Sequence, residues 1–287
     1  DVSDQSNALK TGFDLIDFVW QPFIDNLGID RRKLPRVIRT GEEIARVSQV
    51  CSAETGLSEK TRVVAGATDG TADQFASGAR HVGDWNTVLG TTLVLKGLTQ
   101  NQLIDQEGRG VYCHLHPMGY WMPGGASNVG ARALDERFPN VDKSSFNRAA
   151  LALSPTSLSV YPLVGKGERF PFNAPQATSF VKGRASSEQE VYTGFLEGIA
   201  FVERLGYTIL ETLGATIGNR IYTTGGGAAS NEWMQIRADA LNKELARVEN
   251  ANAAMGSAII AASRTLFDNI ADASAAMIHL ETIIEPR

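Results

Sequence analysis

The fold is decided by one stretch, IYTTGGGAASN, at residues 221–231. It begins with β-branched and aromatic residues, a pattern typical of a buried strand. Three glycines follow, at which the backbone can approach another group closely and adopt positive φ. Ser230 and Asn231 are favourable N-cap residues, and apolar residues at helical spacing after them predict a helix over 232–241.

A strand, a glycine turn and a helix N-terminus together form a cradle for an anion or a nucleotide. In such a turn, unpaired backbone N–H groups point toward the ligand. The alternative is a tight strand-to-helix turn that binds nothing. A single glycine would favour that alternative, whereas three consecutive glycines leave both interpretations open.

The bulk composition excludes several classes of protein. The chain has 287 residues, 43% of them hydrophobic and 21% charged, which is enough for about two globular domains. Its net charge of -5, with no Lys/Arg run that stands out, predicts no nucleic-acid partner and no membrane-surface binding. No apolar run reaches the roughly 18 residues that a bilayer span needs.

Cysteine usage and the start of the chain add two expectations. Cys51 and Cys113 lie far apart in apolar contexts, so we expect reduced thiols and a cytoplasmic protein. The chain starts at Asp1 with neither a methionine nor a signal peptide, and we expect this start to be a cut rather than a native terminus.

A change of pattern near residue 80 predicts two domains, 1–79 and 80–287. The first ends in a strand and a helix, and the second begins with several strands in succession. The sequence predicts a last amphipathic segment over 273–284. It also predicts strands over 62–66, 86–89, 93–95, 110–116, 120–123 and 245–248, and helices over 45–55, 71–79, 188–213 and 253–267.

Asp69 is the best candidate for a catalytic residue. It follows a predicted buried strand and enters a predicted helix, the position at which open α/β sheets hold their ligands. There its carboxylate could act as a general base toward a substrate hydroxyl group. The alternative is that Asp69 only caps the helix that begins near Thr71.

Two further turns could hold phosphate. Gly90-Thr91-Thr92, in the bend between two predicted strands, offers backbone N–H groups and two hydroxyls to an oxyanion; a plain hairpin is the alternative. Gly124 and Gly125 precede Ser127 in a second predicted strand–glycine–helix turn, which strengthens the nucleotide hypothesis.

Other nucleotide and metal motifs are absent or incomplete. No Gly-x-x-x-x-Gly-Lys-Ser/Thr occurs, so a P-loop is excluded. Gly225-x-Gly227-x-x-Ser230, with Glu249 about 20 residues on, half meets a dinucleotide fingerprint and keeps an NAD-dependent oxidoreductase as an alternative. His114 and His116 share one strand face, but no third ligand is near, so we expect surface or packing residues and no protein metal site.

Four motifs in one order resemble the FGGY carbohydrate kinases, an α/β family with the ribonuclease-H-like fold of actin, hexokinase and Hsp70. They are VAGATD at 64–69, VLGTT at 88–92, GGGAASNEWMQ at 225–235 and AAMGSA at 253–258. The closest resemblance is to a subgroup of cyanobacteria and plants described as D-ribulose or xylulose kinases. Its marks are GVY at 110–112, GGASN at 124–128, YPL at 161–163 and GERFP at 167–171.

The resemblance implies ATP-dependent phosphorylation of a ketopentose such as D-ribulose or D-xylulose, with Mg²⁺ neutralising phosphate charge. By it, Asp69 matches the catalytic base. Gly90, Thr91 and Thr92 match the turn that holds the β- and γ-phosphates. The remaining matches are a nucleotide-contacting glycine at a helix start, Gly125, and the adenine and ribose side of the ATP site, Gly226, Gly227, Ser230 and Asn231.

The chain departs from the family in length and in one motif. A family member is nearly twice as long and starts with an Asp-x-Gly-Thr motif, which is not found here; Asp69-Gly70-Thr71 has a different spacing and context. The resemblance therefore implies the end of an N-terminal sugar domain at 1–79 and a nucleotide-binding domain at 80–287. A nucleotide-binding fragment that is inactive without its N-terminal half is one alternative, and a homodimer is a further open option.

Overall fold

The computed structural model describes the whole chain, Asp1–Arg287, as two compact units. Unit 1 comprises Asp1–Arg80, His114–Tyr120 and Asn250–Ile278, and unit 2 comprises His81–Cys113, Trp121–Glu249 and His279–Arg287. Two segments from later in the chain therefore group with the first 80 residues. None of the helices combines the length and the apolar character needed to cross a bilayer.

The first 80 residues form short helices and six short strands, and the strands pair two by two in three separate sheets. β1 pairs in parallel with β4, whereas β2–β3 and β5–β6 are antiparallel. The strands are β1 Val2–Asp4, β2 Phe13–Asp14, β3 Val19–Trp20, β4 Arg36–Ile38, β5 Glu43–Arg46 and β6 Arg62–Val64. The helices are α1 Gln5–Leu9, α2 Phe23–Asn26, α3 Gln49–Thr55 and α4 Asp69–Phe75.

Two predictions for this region need correction. The helix expected over 45–55 starts only at Gln49, after the N-cap Ser48, because the residues before it form β5. The strand expected to be buried, β6, has Arg62 and Val63 exposed, because it pairs with β5 alone. Asp69 still follows this strand closely and starts α4.

Unit 2 contains most of a seven-stranded mixed sheet in the order β15-β14-β13-β7-β8-β10-β9. β7–β8 and β8–β10 are antiparallel, while β13 is parallel to both β7 and β14. The strands are β7 Trp85–Leu89, β8 Leu93–Gly97, β9 Val111–Leu115, β10 Trp121–Ser127, β13 Arg220–Thr224, β14 Glu244–Val248 and β15 Leu280–Ile284, with a separate pair β11 Ser159–Tyr161 and β12 Phe180–Lys182. The carboxyl ends of β7 and β13 therefore meet at one edge of the sheet.

Helices pack against this sheet and bury its apolar residues. The longest, α7, runs over 25 residues from the N-cap Ser187, as the sequence predicts. Its buried residues Leu196 and Ile199 share one core with Trp85 and Trp233, because α7 packs against α8. The helices of unit 2 are α5 Arg132–Arg137, α6 Lys143–Leu153, α7 Glu188–Thr212 and α8 Asn231–Leu241.

The last part of unit 1 contains α9 Ala253–Ala262 and α10 Ile270–Met277. The expected helix over 253–267 thus ends earlier, and the expected segment over 273–284 is divided between α10 and β15. α9 packs against α4 so closely that a Cβ at Gly256 would lie 1.9 Å from the carbonyl oxygen of Ala72. Its small residues therefore permit a close helix–helix contact.

Candidate functional site

The glycine stretch folds as the sequence predicts. β13 ends at Thr224, a short 3-10 turn covers Gly226–Ala228, and α8 begins at Asn231. Ser230 is the N-cap residue, and its Oγ accepts a hydrogen bond from the backbone N–H of Trp233 at 3.2 Å. Gly225 has φ +84, a conformation that favours glycine over residues with a side chain.

This turn packs tightly against the end of β7. A Cβ at Gly225 would lie 2.7 Å from the carbonyl oxygen of Leu89, and one at Gly227 would lie 2.4 Å from its Cγ. A Cβ at Gly226 would meet nothing within 4 Å, so this glycine faces open space. Two of the three glycines are therefore needed for packing, and the middle one leaves room for another group.

The turn between β7 and β8, Gly90-Thr91-Thr92, lies beside a third turn. The N–H of Ala131 donates to the carbonyl of Gly90 at 2.9 Å, and a Cβ at Gly130 would lie 2.4 Å from the carbonyl oxygen of Thr91. Thr91 is exposed and Thr92 is half-buried. Three turns, which follow β7, β10 and β13, thus converge at one edge of the sheet.

The expectation that Gly125 lies at a helix start is wrong. Gly125 is inside β10, opposite Leu95, and a Cβ there would lie 2.4 Å from the ring of Phe170. Glycine is needed here because an aromatic ring covers the strand, and no turn is present. The glycine that precedes α5 is Gly130. The helix-forming residues at 131–134 are the sequence feature that indicates a helix start there.

A cavity of about 460 Å³ opens beside the converging turns, entirely within unit 2. Gly226, Gly227 and Ser230 of the predicted site line it, and so does Ala131, which bonds to the β7–β8 turn. Asn231 is not in the lining, and its Oδ1 accepts a hydrogen bond from Nη1 of Arg247 at 3.1 Å. The other lining residues are Leu134, Asp135, Lys143, Ser144, Asn147, Tyr192, Ala229, Glu232 and Trp233.

The polar groups of the cavity suit an uncharged ligand group. Lys143 forms an ion pair with Asp135, and Glu232 accepts a hydrogen bond from Oγ of Ser230 at 2.8 Å. The lining therefore holds two carboxylates and one ammonium, and that ammonium is already paired. Burial, together with the charge of Asp135, raises the pKa of Tyr192 to about 12, so its hydroxyl stays protonated at neutral pH.

Glu168 holds the end of β10 in place through buried hydrogen bonds, and its local sequence does not indicate this role. It is buried, with 2% of its surface exposed, and accepts hydrogen bonds from Oγ of Ser127 at 2.8 Å and from the N–H of Asn128 at 2.7 Å. The hydroxyl of Tyr161 also donates to it at 2.6 Å, and burial and this carboxylate both raise the pKa of Tyr161. These bonds fix the end of β10, from which the chain enters the turn at Gly130.

In unit 1, Asp69 is an exposed residue at the start of α4. Its Oδ1 accepts a hydrogen bond from the N–H of Gly70 at 2.7 Å. The N-cap position itself belongs to Thr68, whose side chain makes no capping bond and whose N–H donates to Oγ of Ser6 at 2.8 Å. The carboxylate of Asp69 is therefore accessible from solvent at the start of α4.

Both histidines of the pair lie in unit 1, and His116 is a packing residue. His116 is 3% exposed and packs edge-on against Phe75, with ring centroids 5.3 Å apart. No group of three or more His, Cys, Asp or Glu side chains in the chain is placed to hold a metal ion. Cys51 and Cys113 are both free thiols, as expected.

Comparison with known protein families decides the identity of this fold. Residues 85–265 match the FGGY family of carbohydrate kinases, C-terminal domain. The chain belongs to this family. The matched range contains all three converging turns and every residue that lines the cavity.

Curated relatives of this FGGY protein include xylulose kinases and gluconokinases. It is 27% identical over 270 residues to "Xylulose kinase" of Lactococcus lactis subsp. lactis (strain IL1403), covering 89% of this chain and 52% of the relative. It is 24% identical over 265 residues to "Gluconokinase" of Bacillus subtilis (strain 168), covering 85% and 51%. The chain thus spans about half the length of the curated relatives it matches.

Solved structures confirm the fold class. Xylulose kinase from Lactobacillus acidophilus, crystallised with ligand, has a TM-score of 0.89 at 19% identity, covering 100% of this chain and 60% of that one. Plasmodium falciparum glycerol kinase with ADP has a TM-score of 0.84 at 14% identity, covering 100% and 59%. The predicted actin- and hexokinase-like α/β ATPase fold is therefore correct. The dinucleotide alternative is wrong, since β8 runs antiparallel to β7 and β10 where that fold needs parallel strands.

Proposed function

We propose that this protein transfers the γ-phosphoryl group of ATP to a hydroxyl group of a sugar. One observation carries the proposal: three turns converge beside a cavity of nucleoside size, and glycines of one turn line that cavity. Backbone N–H groups of such turns bind phosphate oxygens. Membership of a carbohydrate kinase family supports the same chemistry.

The charges around the cavity support one orientation of ATP. Asp135 and Glu232 would repel phosphates from the cavity, but both carboxylates can accept hydrogen bonds from ribose hydroxyls or an amino group. We therefore propose that the adenosine lies in the cavity, against Gly226, Gly227 and Ser230. The phosphates then extend along Ala131 toward the turn of Gly90, Thr91 and Thr92, where backbone and hydroxyl donors are available.

We further propose that Asp69 is the general base. Its carboxylate would accept the proton of the sugar hydroxyl as the oxygen attacks the γ-phosphorus in line with the leaving ADP. Mg²⁺ would neutralise charge on the phosphates. It is proposed to be held mainly by phosphate oxygens and water, in keeping with the usual mode of Mg²⁺ binding in kinases, since the chain has no cluster of acidic ligands for it.

The substrate we propose is a ketopentose, D-xylulose or D-ribulose. Several relatives that match most of this chain are named xylulose kinases, which supports this class, while the gluconokinases among them make gluconate the first competitor to test. We propose 1–79 as the end of the family's N-terminal domain and 80–287 as its nucleotide-binding domain. The cytoplasmic location, the homodimer and the absence of nucleic-acid and membrane partners stay predictions.

A second candidate is nucleotide binding without turnover by this chain alone. It is favoured by the location of the whole cavity within unit 2 and by the length of the chain, about half that of its relatives. In this case ATP would bind as proposed, but no sugar would be phosphorylated.

The experiment combines ATP titration by calorimetry with transfer of labelled phosphate to D-xylulose, D-ribulose and D-gluconate. Saturable ATP binding and labelling of a ketopentose support the kinase proposal. ATP binding without labelling of any sugar supports the second candidate. If ATP does not bind, the cavity is not a nucleotide site and both proposals fail.

A further inference from the structure

We propose that Asn147 binds the base of the nucleotide, accepting from the amino group of adenine and donating to the ring nitrogen beside it. The inference rests on the proposed ATP site and adds to it a residue that determines specificity. Asn147 lies on α6, in the part of the cavity lining formed by α6 and α7. This part contributes to none of the three turns, so it is the end of the cavity left for the base.

The side chain of Asn147 is held in place by a buried neighbour. The hydroxyl of Tyr192, on α7, donates to Oδ1 of Asn147 at 2.8 Å. Tyr192 is 1% exposed, and its ring packs edge-on against Phe138 and Phe146, with centroids 5.1 and 5.3 Å away. The phenol therefore has little freedom to move, and the carboxamide bonded to it has a fixed orientation.

This bond determines which atoms of Asn147 are left for a ligand. Oδ1 keeps one lone pair, and Nδ2 has no hydrogen-bond partner within the protein. A half-buried carboxamide thus presents one donor and one acceptor side by side to the cavity. Adenine has the complementary pair on two edges, the amino group with N7 and the amino group with N1, and asparagine pairs with adenine in this bidentate way.

The ribose would be bound elsewhere in the cavity. Glu232 lies in the first turn of α8, directly after the glycine turn, with Oε2 accepting from Ser230. A carboxylate there suits ribose hydroxyls, which are donors. The base is thereby directed to the α6–α7 end, where Asn147 is.

The test is a double-mutant cycle between the protein and the base, measured as Kd by calorimetry. The ligands are ATP, 7-deaza-ATP, 1-deaza-ATP and 2′-deoxy-ATP; the proteins are wild type, Asn147→Ala and the exposed control Asn101→Ala. We expect Asn147→Ala to weaken ATP binding about 3- to 10-fold, the usual range for one to two hydrogen bonds. In the wild type, one deaza analogue should bind about 3- to 10-fold more weakly than ATP. In Asn147→Ala, the same analogue and ATP should have equal Kd values. Which analogue does so identifies the edge of the base.

Several results would overturn the inference while leaving the ATP site in place. The first is an unchanged Kd for ATP in Asn147→Ala. The second is that each deaza substitution changes the Kd by the same factor in the wild type and in Asn147→Ala. The third is that Asn147→Ala alters only the effect of removing the 2′-hydroxyl. If the wild type binds no ATP, the proposed function fails first, and the inference fails with it.

A second variant guards against a folding defect. Asn147→Asp keeps the size of the side chain and the acceptor for Tyr192 but removes the donor. We expect it to fold with an unchanged far-ultraviolet circular dichroism spectrum and to bind ATP at least as weakly as Asn147→Ala. Binding of ATP by Asn147→Asp at the wild-type Kd would show that the donor has no role.

Discussion

Glu203 on α7 and Arg237 on α8 form an ion pair from which solvent is fully excluded, with Nε of Arg237 2.7 Å from Oε2 of Glu203. The hydroxyl groups of two threonines also bond to the charged side chains. Thr87 donates to Glu203 at 2.6 Å, and Nη1 of Arg237 donates to Oγ1 of Thr223 at 2.9 Å. The pair therefore connects two helices to β7 and β13, the strands that carry two of the converging turns.

Removing one partner of this pair should strongly destabilise unit 2. We expect Arg237→Leu to lower the free energy of unfolding by about 3–5 kcal/mol, because it leaves a buried carboxylate without its counter-charge. Urea denaturation followed by circular dichroism measures the change. The double variant Glu203→Leu/Arg237→Leu should recover part of the loss, since no isolated charge remains.

The control is the exposed pair of Arg132 and Glu136, whose side chains are 58% and 50% accessible. Arg132→Leu should cost less than about 1 kcal/mol, as surface ion pairs usually do. Equal losses in Arg132→Leu and Arg237→Leu would show that burial does not determine the effect.

Gly256→Ala should destabilise unit 1, although alanine is the better helix former. In an unhindered helix the change would stabilise by roughly 1 kcal/mol, but here the new Cβ would lie 1.9 Å from backbone of α4. We expect a lower melting temperature and, because α4 begins with Asp69, a lower turnover rate. Ser257→Ala, at the next and exposed position of α9, should leave both unchanged or slightly raise stability.

Gly226→Ala and Gly227→Ala form a matched pair that separates packing from ligand contact. A Cβ at Gly227 clashes with Leu89, so Gly227→Ala should lower both stability and ATP affinity. A Cβ at Gly226 meets no protein atom, so Gly226→Ala should keep the wild-type melting temperature and still weaken ATP binding. Full ATP affinity in Gly226→Ala would place the nucleotide away from this turn. Thermal melting and calorimetry measure the two effects.

Asp69→Asn should separate ATP binding from turnover. The amide keeps the size of the side chain but cannot accept the substrate proton, so we expect turnover to fall by about 10²-fold or more, with the Kd for ATP changed less than about twofold. Asp17→Asn, another exposed aspartate of unit 1, serves as the control. Turnover retained in Asp69→Asn would limit Asp69 to its hydrogen bond with Gly70.

Burial of His116 should make unit 1 less stable in mild acid. Burial lowers the pKa of His116 to about 4, while in the unfolded chain it is about 6.5. Between these two values the unfolded chain binds the extra proton, so stability falls as pH drops from about 6.5 to 4, by at most about 1.4 kcal/mol per pH unit. Above pH 6.5 this contribution is constant.

His116→Asn should reduce that dependence, because an amide gains no proton in this pH range. Its oxygen can still accept the N–H of Met118, which now bonds Nδ1 at 3.1 Å, so the local hydrogen bond is kept. Unfolding is followed at several pH values in the wild type, in His116→Asn and in the exposed control His81→Gln. An identical pH dependence in the wild type and His116→Asn would exclude His116 as its source.

Local sequence signals predicted the structure around the glycine turn because that structure is itself local. β13, the glycine turn, the cap at Ser230 and α8 follow one another within about 20 residues, and each has its own propensity signal. The bend at Gly90 was predictable for the same reason. Asp69 could be singled out because it is a carboxylate between a predicted strand and a predicted helix, although that strand, β6, is more exposed than expected.

What the sequence did not reveal depends on contacts between distant residues. Gly125 and Gly130 look alike in sequence but are needed for different contacts. A Cβ at Gly125 would clash with an aromatic ring 45 residues away, and a Cβ at Gly130 would clash with a carbonyl of the β7–β8 turn. Glu168 and Asn147 are ordinary polar residues of a loop and a helix. Their hydrogen-bond partners lie 41 and 45 residues away, and no local pattern identifies them.

The convergence of the three turns also has a consequence for binding kinetics. Because Gly225 rests on Leu89, Gly130 on Thr91, and Ala131 bonds to Gly90, no turn can shift without moving the others. If these turns hold the phosphates as proposed, their mutual contacts fix the site before any ligand arrives, and little conformational entropy is lost on binding. Association with nucleotide should then be a single fast step, limited by diffusion into the cavity rather than by loop ordering.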